Sequence, residues 1–203
     1  PHLIRLSLRP TSPLESTGIA DEWVGIVIPG QFQSRYYTIR SLTEMLLIDV
    51  VVHEEGLVTS WASGDCVGDE IGLSAPKGSF LPGADAQWVV LAGDLTALPA
   101  MARIAESSQL PVTIHAEVPN PIEGYLPDAA QVHWHHPDAG QSQLARIGES
   151  LDWPPTPGYF WMAGESAQMR EIRRFVRRDL EWPSAAYDVM GYWSQARGKA
   201  RPL

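Results

Sequence analysis

Trp88-Val89-Val90-Leu91-Ala92 is an unbroken apolar run that ends in Gly93-Asp94, and it constrains the fold more than any other stretch of the chain. A strand with one wet face alternates apolar and polar residues. A run without alternation is therefore a strand covered on both faces, as in a parallel sheet flanked by helices. The rhythm repeats downstream: strand patterns at 112–118, 131–135, 159–163 and 187–191 alternate with helical patterns from Asp94 to residue 107, at 142–151 and at 167–180. Pro99 falls in the first helical turn if Asp94 or Thr96 is the cap, where its missing amide costs little. This half of the chain reads as a parallel α/β sheet. In the helix at 167–180, Met169, Ile172, Val176 and Leu180 form one apolar stripe and Arg170, Arg173, Arg174, Arg177 and Arg178 lie largely off it, so the stripe is core.

The preceding half reads differently. Residues 2–8, 23–28, 36–41, 45–52 and 70–74 are short, rich in β-branched or aromatic residues, and separated by turn formers such as Pro29-Gly30 and Pro76-Lys77-Gly78. Antiparallel strands with regular turns predict a small barrel. One helix is expected around 59–62, its free amides aimed at an anion. The turn-rich Leu81-Pro82-Gly83-Ala84-Asp85 marks the boundary, giving domains at 1–83 and 84–203. The fold class is α+β with two domains, an antiparallel β-barrel followed by a parallel α/β domain.

Composition narrows the function classes. A net charge of -9 argues against general nucleic-acid binding, which needs a basic surface. No run approaches the roughly 20 apolar residues of a membrane-spanning helix, and no secretory leader is recognisable at the start. A cytoplasmic monomer without membrane insertion is expected. The single cysteine, Cys66, excludes an internal disulfide framework and fits a reducing compartment. From Glu165 onward eight Lys or Arg face five acids, a basic end on an acidic chain that can attract an anionic ligand. His133 and His135 alternate onto one face of their strand, with His136 beside them, but local spacing fixes no Asp, Glu or Cys ligand nearby. No metal site is expected.

Arg35-Tyr36-Tyr37-Thr38 supplies a guanidinium for phosphate, rings to pack on a flat cofactor, and a small hydroxyl. Farther on, Asp49-Val50-Val51-Val52-His53 leads into Gly56-Leu57-Val58-Thr59-Ser60, a loop of amides and hydroxyls suited to a pyrophosphate. No Gly-x-Gly-x-x-Gly follows the strand at 88–92, so a Rossmann grip is not supported. These segments, with Gly93-Asp94-Leu95-Thr96, Trp161-Met162-Ala163-Gly164-Glu165 and Gly191-Tyr192-Trp193 in that order, resemble the siderophore-interacting protein family. These are FAD-dependent ferric-siderophore reductases related to ferredoxin-NADP reductases.

The resemblance implies that the barrel holds FAD and the α/β domain brings in NAD(P)H. Arg35 would take the FAD phosphate, Tyr37 would pack on the isoalloxazine, and Thr38 would bond near its reactive nitrogen. His53, Thr59 and Ser60 match the pyrophosphate and adenosine loop, and Asp49 a position usually acidic. Tyr36, Val51 and Val58 complete the cofactor set. Asp94 and Thr96 would lie toward the flavin–nicotinamide contact, and Trp193 would cover the flavin. Lys199 and Arg201 are candidates for an anionic substrate, a ferric siderophore or other ferric chelate. No catalytic acid or base is implied, since single-electron reduction breaks no bond that needs one. The chain departs from the family at Leu57-Val58 and Leu95, where Pro-Ala and an acid are usual, and at His136, where a basic residue is common. Family members carry barrel strands ahead of the stretch matching His2-Leu3-Ile4-Arg5-Leu6, so the first domain is expected to lack N-terminal strands. Two alternatives remain open. One is a siderophore- or flavin-binding protein without efficient turnover, and the other a general NAD(P)H–flavin or ferredoxin reductase.

Overall fold

The computed structural model describes residues 2–52, 56–138 and 140–194. The chain divides into two compact units, Pro1–Leu81 with Leu98–Gln109 and Glu123–Ala130, and Pro82–Ala97 with Leu110–Ile122 and Gln131–Leu203.

In the first unit β1 (Leu3–Leu8), β5 (Leu46–Val51) and β4 (Ser41–Leu42) form one antiparallel sheet in the order β1-β5-β4. A second, in the order β3-β2-β6, is made of β2 (Trp23–Val27), β3 (Arg35–Thr38) and β6 (Gly72–Leu73). The single strand expected at 36–41 is thus two strands in two sheets. At the crossing, Ile39 N–H donates to Glu22 O and Arg40 N–H to Leu47 O, so the backbone changes partner there. The core between these strands comprises Leu6, Val24, Ile26, Ile28, Ile39, Leu46, Ile48 and Val50. Each such side chain contributes about 1.5–3 kcal/mol through removal from water. The helix α1 (Leu57–Ala62) adds Val58 and Ala62 to that core. α2 (Leu98–Ser107) groups with this unit, and its Arg103 donates to Glu22 Oε2 at 2.7 Å and to Ile39 O at 3.0 Å.

The second unit is a five-stranded parallel sheet made of β7 (Val89–Asp94), β8 (Val112–Glu117), β9 (Gln131–His135), β10 (Tyr159–Glu165) and β11 (Tyr187–Trp193). The strand order is β11-β10-β7-β8-β9, so the chain reverses direction across the sheet between β7 and β10. Every residue of β7 and β10 is buried, as the apolar run at 88–92 requires. On one face α3 (Leu144–Glu149) and α4 (Ser166–Arg178) bring Leu144, Ile147, Met169, Ile172 and Val176 against Val90, Ala92, Phe160 and Met162. Arg177 and Arg178 in the last turn of α4 suit its negative end. The helix stops as Glu181 takes a left-handed φ of 53° and Trp182 N–H reaches back to Val176 O.

Candidate functional site

Along β3 burial deepens from Arg35 to Thr38 rather than alternating. Thr38 is buried, Tyr37 is half-buried against the core, and burial pushes its phenol upward in pKa. Tyr36 is 65% exposed. Among the described residues Arg35 donates to Ser34 O and Gln33 Oε1, both at 3.1 Å. The other half of the candidate set enters α1 through Gly56, which gives the helix no side-chain cap. Val58 and Thr59 are buried, Thr59 Oγ1 donates to Val51 O at 3.0 Å, and Ser60 is exposed. His53 lies outside the described residues.

Asp49 sits inside a bonded cluster. Its carboxylate takes both Arg5 Nε and Arg5 Nη2 at 2.7 Å and Tyr125 Oη at 2.6 Å. Burial opposes its charge, but the bonds from Arg5 and Tyr125 prevail and hold the carboxyl below its ordinary range. Burial and the neighbouring carboxylate raise Tyr125. Two further buried acids, which sequence reasoning missed, organise the loops. Asp21 accepts from Ser79 and Phe80, and Glu22 from Ser16, Thr17 and Arg103. Their adjacency immediately before the apolar Trp23-Val24 strand was the available signal, since acids there need donors.

In an open parallel sheet, ligands sit beyond the strand C-termini where the strand order reverses. In the second unit that place is the end of β7 and β10. Asp94 ends β7, and its Oδ1 accepts from Thr96 N–H at 2.8 Å and Thr96 Oγ1 at 2.5 Å. Its Oδ2 accepts the indole N–H of Trp193 at 2.7 Å. Burial raises the Asp94 carboxyl in pKa against these bonds. A register shift opposite Gly164 and Glu165 places Trp193 beside Glu165, and Trp193 O accepts from Ser166 Oγ at 2.7 Å. Two glycines permit this packing. A Cβ on Gly164 would lie 2.6 Å from Leu144 Cδ1 and 2.8 Å from Asp94 Oδ2, and one on Gly191 would lie 2.6 Å from Ser166 Oγ. Asp94, Thr96 and Trp193 are thereby brought together, although 99 residues separate the first and last.

The histidine cluster differs from the expected one. His115 on β8, unnoticed in the sequence, stacks on His133 at 4.7 Å between centroids and contacts His135 through ring nitrogens 3.1 Å apart. The parallel register His115↔His133 puts them side by side, whereas His136 turns away to Pro119 O. Burial and then its two neighbours push His115 down to about 4. No group of three potential metal ligands suited to one ion is assembled among the described residues. Lys199 and Arg201 fall outside the described residues.

An antiparallel β unit followed by a parallel sheet with a reversal in strand order is the ferredoxin reductase-like arrangement. The ferredoxin reductase of a carbazole 1,9a-dioxygenase shares it with a TM-score of 0.71 at 16% identity, over 95% of this chain and 65% of that one. The chain belongs to the siderophore-interacting protein family: residues 86–196 match the siderophore-interacting protein profile and residues 2–80 the siderophore-interacting FAD-binding domain. The solved siderophore-interacting protein of Acinetobacter baumannii superposes with a TM-score of 0.83 at 25% identity, covering 98% of this chain and 87% of that one. An uncharacterized Mycobacterium tuberculosis protein is 31% identical over 75% of this chain and 60% of its own length. The ferric acinetobactin reductase of Acinetobacter baumannii is 28% identical over 81% of this chain and 62% of its own length. The chain therefore spans less than two thirds of the length of these two curated relatives. No described helix is long and apolar enough to cross a membrane.

Proposed function

We propose that this chain reduces a ferric siderophore, with electrons from NAD(P)H passed through FAD, so that iron leaves as the ferrous ion. The observation that carries the reading is the state of Arg35. Arg35, inside the stretch matching the FAD-binding domain, bonds to Ser34 O and Gln33 Oε1 just ahead of its strand, and among the described residues no carboxylate pairs with it. A guanidinium with no carboxylate partner among the described residues, beside an exposed Tyr36 and a half-buried Tyr37, is the donor set that an anionic, flat cofactor needs.

Arg35 would hold phosphate, Tyr36 and Tyr37 would flank ring surface, and Ser60 with the uncapped start of α1 would meet further phosphate oxygens. Asp49, Val51, Val58 and Thr59 would support that site from within the unit, since their side chains or carbonyls are committed to the unit's own core and bonds. When bound, FAD supplies the conversion of a two-electron donor into single-electron deliveries. Asp94, Thr96 and Trp193 form the edge of the second unit that would meet the nicotinamide donor. Basic Lys199 and Arg201 would attract the anionic ferric chelate. Ferrous iron is a softer, less charged cation than ferric iron and is held less firmly by hard oxygen ligands, so reduction frees it.

Anaerobic mixing of FAD-loaded protein with NADPH or NADH tests the proposal. Loss of the oxidised flavin bands is the expected result, whereas a binder without turnover stays oxidised. A general reductase would favour artificial acceptors as readily as ferric siderophores.

A further inference from the structure

Doubly wound sheets commonly receive ligand phosphates on vacant amides at the starts of the helices that follow their strands. In the second unit those amides are taken at the head of α4. Glu165, the last residue of β10, accepts from Ala167 N–H at 2.6 Å and Gln168 N–H at 3.0 Å at the head of the 13-residue α4. Asp94, the last residue of β7, accepts from Thr96 N–H at 2.8 Å. Glu117, the last residue of β8, accepts from Gln143 N–H at 2.5 Å, just ahead of α3. Three adjacent strands thus end in a buried carboxylate that consumes backbone donors, with Asp94 and Glu117 direct cross-strand partners.

Helix capping alone does not call for this choice. Ser, Thr, Asp and Asn are the favoured caps, and a serine stands next in the chain, yet Ser166 Oγ is turned to Trp193 O while Glu165 serves the helix. A phosphate approaching α4 meets a negative group in its seat and two more acids along the same edge.

We infer that Glu165 is a specificity-determining residue: its carboxylate fills the phosphate seat at the start of α4, so the reduced nicotinamide donor is recognised through its rings, without a pyrophosphate contact at that helix. The identity of the donor rests on the function proposed above; the filling of the seat does not. Reduced nicotinamide mononucleotide, which lacks the pyrophosphate, should then reduce the flavin with a KM within about threefold of that of NADH, since no helix-end anion contact is lost.

The test is titration of 15N-labelled, FAD-loaded protein with inorganic pyrophosphate, following the amides of Ala167 and Gln168, in the natural chain and in Glu165→Ser. In the natural chain the two amides should stay put. In Glu165→Ser, which keeps a capping hydroxyl without the charge, they should shift saturably, and the KM for NADH should fall about threefold to tenfold. Saturable shifts of both amides in the natural chain, or no gain of pyrophosphate binding in the variant, would overturn the inference. If Glu165→Ser does not fold, Glu165→Gln serves as the neutral variant under the same two criteria. Failure of every nicotinamide donor to bleach the flavin would sink the donor reading, while the pyrophosphate titration would still decide whether the seat is filled.

Discussion

Trp193 donates its indole N–H to Asp94 Oδ2 across 2.7 Å, tying the last described strand to the end of the first strand of the same sheet. Because Asp94 is buried, that bond is one of few that can satisfy its carboxylate, the rest coming from Thr96 and Ala97. Trp193→Phe keeps an aromatic ring and deletes the donor. It should lower unfolding free energy by about 1–2 kcal/mol in urea titrations, the cost of leaving a buried acceptor short of a partner. Unchanged stability would mean that Trp193 is not held by Asp94.

Arg5 and Asp49 make the second test. The Asp49 side chain is 2% exposed and that of Arg5 51% exposed, so losing the acid frees the arginine to water while losing the arginine strands a buried charge. Arg5→Ala should therefore cost more than Asp49→Asn, about 3 kcal/mol against about 1–2 kcal/mol. The sign with pH follows from the lowered carboxyl. Its contribution is present above the ordinary Asp value of 3.8 and is lost as pH falls through its folded value. Equal costs for the two substitutions, by chemical denaturation, would contradict the cluster.

His115, lowered from 6.5 to about 4 by burial and by His133 and His135, makes stability pH-dependent in the same direction but a higher window. The unfolded chain takes up a proton near 6.5 and the folded chain only near 4, so stability declines as pH falls between those values. Partial exposure screens the effect, leaving about 1–2 kcal/mol. The groups flanking it are His133 and His135 on β9 and, on its own strand's sheet face, Glu117. His115→Phe preserves a ring to stack on His133 and should flatten the thermal-unfolding profile between pH 6.5 and 4. A slope identical to the natural chain would place the titration elsewhere.

Among the described residues Arg35 bonds to Ser34 and Gln33, one and two positions before it, so Arg35→Ala should leave the unfolding transition within about 0.5 kcal/mol of the natural chain. Its FAD dissociation constant should rise about tenfold to a hundredfold, the loss of a charge-assisted phosphate contact. Fluorescence titration of the flavin against both proteins measures this. Equal FAD affinity would remove Arg35 from the site.

Periodicity made the parallel sheet legible, because Trp88-Val89-Val90-Leu91-Ala92 has no amphipathic reading and the α4 stripe of Met169, Ile172 and Val176 repeats at helical spacing. The antiparallel unit was legible as strands but not as sheets. Nothing in Tyr36 to Ser41 marks the point at Ile39 where hydrogen bonding passes from Glu22 to Leu47. The Asp94–Trp193 and Arg5–Asp49–Tyr125 bonds join residues far apart in sequence, and single-sequence patterns carry no information on such pairings. His115 was hidden for the same reason: its partners lie on β9, in a register that only the folded sheet supplies. Glu165 was visible as a helix neighbour, yet its role as the cap depends on side-chain direction.

The most direct test of the central claim is an anaerobic absorption record of FAD-loaded protein, first with NADPH and then with a ferric siderophore in the presence of a ferrous-specific chelator. The account predicts that the flavin bands bleach with the nucleotide, return with the ferric siderophore, and leave coloured ferrous chelate in proportion of about two irons per nucleotide, as single-electron delivery from a two-electron donor requires. Flavin that binds and bleaches but does not reoxidise with the siderophore, or protein that retains no FAD, would contradict it.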